Sequence, residues 1–475
     1  PEPEPEARDA TPALRMVVSR VRANPTIADG EIDARIDLIE VDTDGTAAST
    51  PLDADLTVPV EPLELPAVFS AEDGHLAAVV THTRGPRVRT WQLGASIDDP
   101  IGERVSLAVG DLEDVWTPSR AQRIEGGWLS INDRGVDRID DDGTVVGLVS
   151  LASSIVVDSA GRFVVSVEDG EHRLAVTDVA TGARTVVHDD DDSILRSVSV
   201  ARDAARVMYT AHGAQAARSA VFVVDVGSSG PTAPTIVAED TIALFVDLAA
   251  DGNAFTYTAR SYLPTVTRTY YGAFEADTVS STFLGGETLA THWMEDGARL
   301  SLLWTTNTTS VLEVFDRATS QRDEADLGDA QPFGYLTQEC GGGLVLEGAE
   351  GVWWTDMSRP PISIGTTFGT VACADDGTAM AFSSLVGDDA HVRRMTAKGP
   401  GAPEPLAVGV DETVSGVAKL EHSGAFVYRG CVGRGSELGC DGSLRVWSPD
   451  AAETIVVLED TQVPHPSDVV GVALP

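Results

Sequence analysis

The hydrophobic positions of this chain come in short runs. Ile32, Ala34, Ile36 and Leu38 alternate with Asp33, Arg35 and Asp37, the period-two pattern of a strand. Elsewhere short apolar runs are bounded by Gly, Asp and Ser: SIVVD (154–158), RFVVSV (162–167), IALFVDL (242–248), AFTYTA (254–259), ARLSLLW (298–304) and AMAFSS (379–384). Long helical heptads are absent. This pattern predicts many strands joined by tight turns.

The runs recur in a fixed order. Turns rich in Gly and Asp lie at AEDG (71–74), EGG (125–127), DSAG (158–161), RDAA (202–205), ADG (250–252), EDG (295–297), CGGG (340–343), DDG (375–377) and HSG (422–424). The 350 residues from Gly74 to Gly424 divide into eight steps of about 44, and a fixed period in this range marks a repeated supersecondary unit. Strand a precedes each turn and strand b follows it. Strand c ends at an Asp before a small-residue turn, as in LAVTDVATG (174–182), VFVVDVGSSG (222–230) and LEVFDRATS (312–320). Strand d is short: TVVH (185–188), TIVA (235–238), TIVVL (454–458). The Asp bonds backbone N–H groups of the turn, and Gly supplies positive φ.

Four antiparallel strands every 40–45 residues predict an all-β chain, a β-propeller of four-stranded blades. The ends complete one more unit. LRMVVSRV (14–21) fits strand b, IDARIDLIEVDTDG (32–45) strand c and DLTVPV (55–60) strand d, while DVVGVAL (468–474) is left over to serve as strand a. Pairing of the N- and C-terminal strands then closes the ring and removes its exposed edges. About ten units are counted, against the usual four to eight blades, so seven to ten blades are expected. The domain reading is a flexible tether over 1–12 and a single propeller over 13–475. The alternative is a separate small β subdomain over 13–62 with a propeller over 63–475.

Over about residues 60–460 the repeat resembles the WD40-like repeats of TolB-type bacterial propellers, whose units run apolar strand, S-P-D-G turn, apolar strand, then a strand ending in Asp. Here Asp-Gly or a relative of it survives in most units, whereas the Ser-Pro and the Trp-Asp dipeptide are missing. The resemblance implies architecture and is nearly silent on activity.

Charge narrows the partners. The net charge is −41, and among the 33 basic residues only Lys398 and Lys419 are lysines. Such a chain repels nucleic-acid phosphates and anionic lipid heads, and attracts basic proteins or cations. PEPEPEARDATP (1–12) combines stiff prolines with like charges and reads as an extended spacer. It resembles the spacer after the lipidated cysteine of bacterial lipoproteins, which implies export to the periplasm or cell surface, with membrane contact only through an upstream lipid anchor. Cys431 and Cys440 bracket a Gly-rich loop, and Cys340 and Cys373 precede comparable turns in neighbouring repeats. Two local disulfides, 431–440 and 340–373, fit an oxidising compartment; free buried thiols are the alternative.

Catalytic signatures are missing from the sequence: there is no HExxH, GxSxG or P-loop, and SAEDGHLA (70–77) lacks the Thr and Trp of a sialidase Asp-box. No cofactor is expected beyond calcium. EVDTDG (40–45) begins like an EF-hand loop but places Pro51 where a bidentate Glu belongs. RIDDDGT (138–144) and HDDDDS (188–193), with Asp189, Asp190, Asp191 and Asp192, are the other calcium candidates.

The d-to-a connections are acidic, IGTTFG (364–369) excepted: GDLED (110–114), HDDDDS (188–193), AEDT (238–241), GGET (285–288), GDAQ (328–331), VDET (410–413) and LEDT (458–461). In a propeller these share one face with the b-to-c loops. The expectation is an acidic rim around the channel mouth carrying Glu239, Asp240, Asp411, Glu412, Glu459 and Asp460. The longest b-to-c loops, HTRGPR (82–87), ARSYLPTVTR (259–268) and the Cys431–Cys440 loop, add Arg84, Tyr262, Arg268 and Arg434, residue types favoured as interface anchors. Trp304, Trp353 and Trp447 fall in strands and are expected between blades; Trp91 and Trp293 suit core or surface equally. The function expected is a non-enzymatic exported propeller that binds or scaffolds a protein partner or cationic ligand at the cell envelope. The alternatives are a structural subunit of a larger extracellular or membrane-associated assembly, and a glycan-directed enzyme with carboxylates at the channel mouth.

Overall fold

Each repeat becomes one four-stranded antiparallel sheet, and ten such sheets form a ring. In the computed structural model the described residues lie between 13 and 472, excluding 60–64, 81–86, 94–100, 109–119, 214–218, 328–334, 434–439 and shorter stretches of one to four residues. Arg84 and Arg434 fall outside the described residues.

Blade 1 is built from both ends of the chain. Its inner strand a is Val469–Val472, followed outward by Leu14–Val21, Glu31–Val41 and Ala47–Pro59. Val18 pairs with Val469 and Arg15 with Val472, so the ring closes through hydrogen bonds between the terminal strands, as the leftover C-terminal run predicted. Blades 2 to 5 begin with inner strands Ala67–Ser70, Arg120–Ile124, Ser154–Val157 and Ser193–Val200. Blades 7 to 10 begin with Glu287–Trp293, Tyr335–Cys340, Gly369–Cys373 and Glu412–Lys419.

Blade 6 departs from the expected boundaries. In place of the expected loop at AEDT (238–241), Thr235–Leu248 is one strand. Its first half pairs with Ser219–Gly227 of blade 5 and its second half, from Ile242, with Ala254–Tyr262 of blade 6. ARSYLPTVTR is likewise no open loop. Tyr262 pairs with Thr265 and Arg260 with Thr267, so strands b and c run on as a hairpin past the start of strand a. LEDT (458–461) also belongs to a strand, Ile455–Val463, with Glu459 opposite Ser443 and Asp460 opposite Gly442. Backbone pairing continues in all three places because a partner strand is there to receive it.

The turn chemistry is as the repeat demands. Gly161, Gly252, Gly297 and Gly377 adopt positive φ in the a-to-b turns. The Asp178 carboxylate accepts from Thr181 N (2.7 Å) and that of Asp316 from Thr319 N (2.8 Å), closing the c-to-d turns.

Both faces of a blade are covered, so alternation along a strand chooses a neighbour. In Leu14–Val21, Val17 and Val21 pack with Ile36, Leu76 and Trp91 towards blade 2, while Met16 and Val18 pack with Val427, Leu444 and Val457 of blade 10. Polar residues on both faces of the next strand are therefore buried too: Asp37 and Glu40 are 1% and 3% exposed. Arg15 and Glu40 form an ion pair at 2.7 Å, and Arg20 Nε donates to Asp37 at 3.0 Å. Fully burying an aliphatic side chain of this kind contributes about 1.5–3 kcal/mol. Trp447 and Trp353 sit between blades as expected, and Trp91 and Trp293 prove to be core.

Neighbouring inner strands are stitched together side chain to backbone. Ser70 Oγ donates to Gly471 O (2.7 Å), and Gln338 Nε2 to Val371 O (3.0 Å). Ser197 Oγ and Ser199 Oγ accept from Val246 N (3.2 Å) and Leu248 N (3.0 Å). Both expected disulfides are present: Cys340–Cys373 joins the inner strands of blades 8 and 9, and Cys431–Cys440 ties strands b and c of blade 10.

Candidate functional site: the d-to-a face

The two ends of the ring differ in what holds them. On the a-to-b side, arginines staple one blade to the next. Arg138 donates to Val179 O (2.7 Å) and Ala180 O (2.6 Å), Arg206 to Gly252 O (2.6 Å) and Arg394 to Pro449 O (2.9 Å). Arg317 grips Asp251 through both nitrogens, at 2.5 and 3.0 Å, which pulls the Asp251 carboxyl down to about 2. A planar fork reaches two acceptors at once where an ammonium offers a point charge. That accounts for a basic complement that is almost entirely arginine.

The opposite side carries the d-to-a connections. Asp190, Asp191 and Asp192 are exposed, as are Glu239, Asp411 and Glu459. Asp189 meets Arg173 at 3.3 Å, and the Asp190 carboxylate accepts from Asp192 N at 3.0 Å. Among the described residues no group of three or more His, Cys, Asp or Glu is placed to hold a metal ion. Arg268 is exposed on the extended hairpin of blade 6, where Tyr262 also lies, and Asp240 follows Glu239 within the shared strand.

Two acids of the expected rim turn inward. Asp460 pairs with Arg20 of blade 1, extending the Arg20–Asp37 contact across the ring closure. Glu412 is a scaffold: its Oε2 accepts from Gly409 N (2.6 Å), Ser443 Oγ (2.9 Å) and Arg445 Nη2 (3.3 Å). That one carboxylate ties the d-to-a turn to strand c of blade 10, and Gly430 of strand b packs against it. The sequence placed both acids on the correct end of the blade. Apart from Gly409 N, the donors that meet them lie about 30 or more positions away in sequence.

Blade 10 has the best-defined surface here. Glu412 N donates back to Gly409 O (3.2 Å), closing a tight turn in which Asp411 has φ +70°. Val410 stands at its tip, 90% exposed, and Val432, at the end of strand b opposite Glu412, is 48% exposed. Next along the mouth, burial pushes the Asp468 carboxyl up to about 6 against the opposing influence of His465 N and Arg429.

No protein-family model matches the chain, and no curated protein matches it by sequence. Among solved structures, one described as the eukaryotic initiation factor aligns over 97% of this chain and 99% of its own, with TM-score 0.51 at 10% identity. The β-propeller domain of Myceliophteria thermophila Cps50 (Swd1) aligns over 62% of this chain and 96% of its own, with TM-score 0.32 at 13% identity. An oligogalacturonate lyase in complex with manganese aligns over 56% and 82%, with TM-score 0.38 at 12% identity. At 10% identity the likeness to the first of these reaches fold and no further; by its own sheets the chain is a ten-bladed β-propeller.

Proposed function

We propose that this propeller is an exported binding module that presents its acidic d-to-a face to a basic protein partner. The observation that carries the reading is the row of carboxylates along this face: Asp190, Asp191, Asp192, Glu239, Asp411 and Glu459 stand exposed in the d-to-a connections. Such an array focuses field and speeds encounter with cations of the partner. Two disulfides support an oxidising compartment. The test is binding of an oligo-arginine peptide at low and high salt. Serine at Glu239, Asp411 and Glu459 should weaken binding, and serine at Asp142 and Asp376, exposed on the a-to-b side, should not. Equal loss from both sets would refute the assignment of the face.

A further inference from the structure

We infer that Val410 and Val432 form a preorganised apolar anchor on the acidic face, fitted to a basic protein segment that carries aliphatic side chains among its cations. This rests on the proposed use of that face and adds to it the chemistry of the partner.

Exposed valines are ordinary when scattered. These two differ in how they are held. Val410 is 90% exposed on a turn fixed at both ends. Glu412 N bonds Gly409 O, and the Glu412 carboxylate receives Gly409 N together with Ser443 and Arg445. Asp411, in the left-handed region that side chains rarely adopt, is the corner of that turn. Val432 follows Cys431, whose disulfide to Cys440 fixes the ends of the adjoining loop. A side chain held in one place before contact loses less conformational freedom on binding, which favours affinity.

Charge selects the occupant. Asp411, Asp441 and Glu459 are exposed at the same end of blade 10. A second copy of this chain would bring another −41 and the same acids to the contact, so self-association is disfavoured. A basic segment answers the acids, and its aliphatic side chains answer the two valines.

The experiment compares two labelled peptides on the intact protein: arginines interspersed with leucines, and the matched peptide with serine at every leucine. The wild type should prefer the leucine peptide by about tenfold or more, the scale of one good anchor. The double substitution Val410→Ser, Val432→Ser should abolish that preference and leave binding of the serine peptide and the unfolding midpoint unchanged, since both side chains are exposed. A preference that survives the double substitution, or is absent from the wild type, overturns the anchor while leaving the acidic face standing. Failure of both peptides to bind overturns both readings. A Val410-dependent dimer in sedimentation without peptide overturns the choice of occupant.

Discussion

Asp247 is an acid that this fold should hold at a cost, and the cost can be measured. It lies on the inner strand of blade 6, facing Ser199 of blade 5, whose Oγ donates to Asp247 Oδ1 at 3.2 Å. Burial raises its carboxyl from 3.8 to about 6, although the Ser199 bond and the Leu248 N–H pull the other way. A shift of about two units corresponds to about 3 kcal/mol between the two protonation states, a ceiling given the residual solvent at the site. The sign follows from proton binding. Between about pH 4 and 6 the folded chain binds more protons here than the unfolded chain, so this residue's contribution is most favourable at low pH and is lost as pH rises through 6. Asp247→Asn removes the ionisation and keeps the size and an acceptor. It should therefore stabilise the protein by about 1–3 kcal/mol near neutral pH and by almost nothing near pH 4. Urea unfolding followed by tryptophan fluorescence, run on both proteins at both pH values, measures the difference directly. The same gain at both pH values would show that ionisation is not its source. A loss at neutral pH would show that the carboxylate stabilises the blade boundary, and the reasoning would fail.

The ring closure makes a second prediction: Arg20→Met removes the cation shared by Asp37 and Asp460 and leaves Arg35 on Asp37, and urea unfolding should show a loss of about 1–3 kcal/mol, below the cost of a fully uncompensated buried charge. The two disulfides should differ in worth. Closing 33 residues between Cys340 and Cys373 is expected to contribute about 4 kcal/mol, and closing 9 between Cys431 and Cys440 about 3 kcal/mol, so replacing each pair by serine should lower the unfolding midpoint more for the first. Gly272 faces the Phe255 ring so closely that an added Cβ would lie 2.1 Å from Cζ. Gly272→Ala should cost about 1–3 kcal/mol, partly recovered when Phe255→Leu makes room; no recovery would place the cost in the backbone.

The sequence by itself determined what is local. A strand's period, an Asp that closes a c-to-d turn, a Gly at positive φ and the 44-residue spacing all act within one blade. They were enough to count ten units and to assign the stranded C-terminal run to blade 1. Tertiary structure alone decided what each polar position does. Asp37 reads as the wet side of a strand, yet blade 10 covers that side. Glu239 and Asp240 sit in a strand shared by two blades, because pairing with both neighbours outweighs the turn that their residue types suggest. Glu412, Asp460 and Val410 all occupy acidic connections, and their fates diverge through contacts with strands and blades remote in sequence. A carboxylate that meets buried donors turns inward, and a valine that meets nothing stays in water.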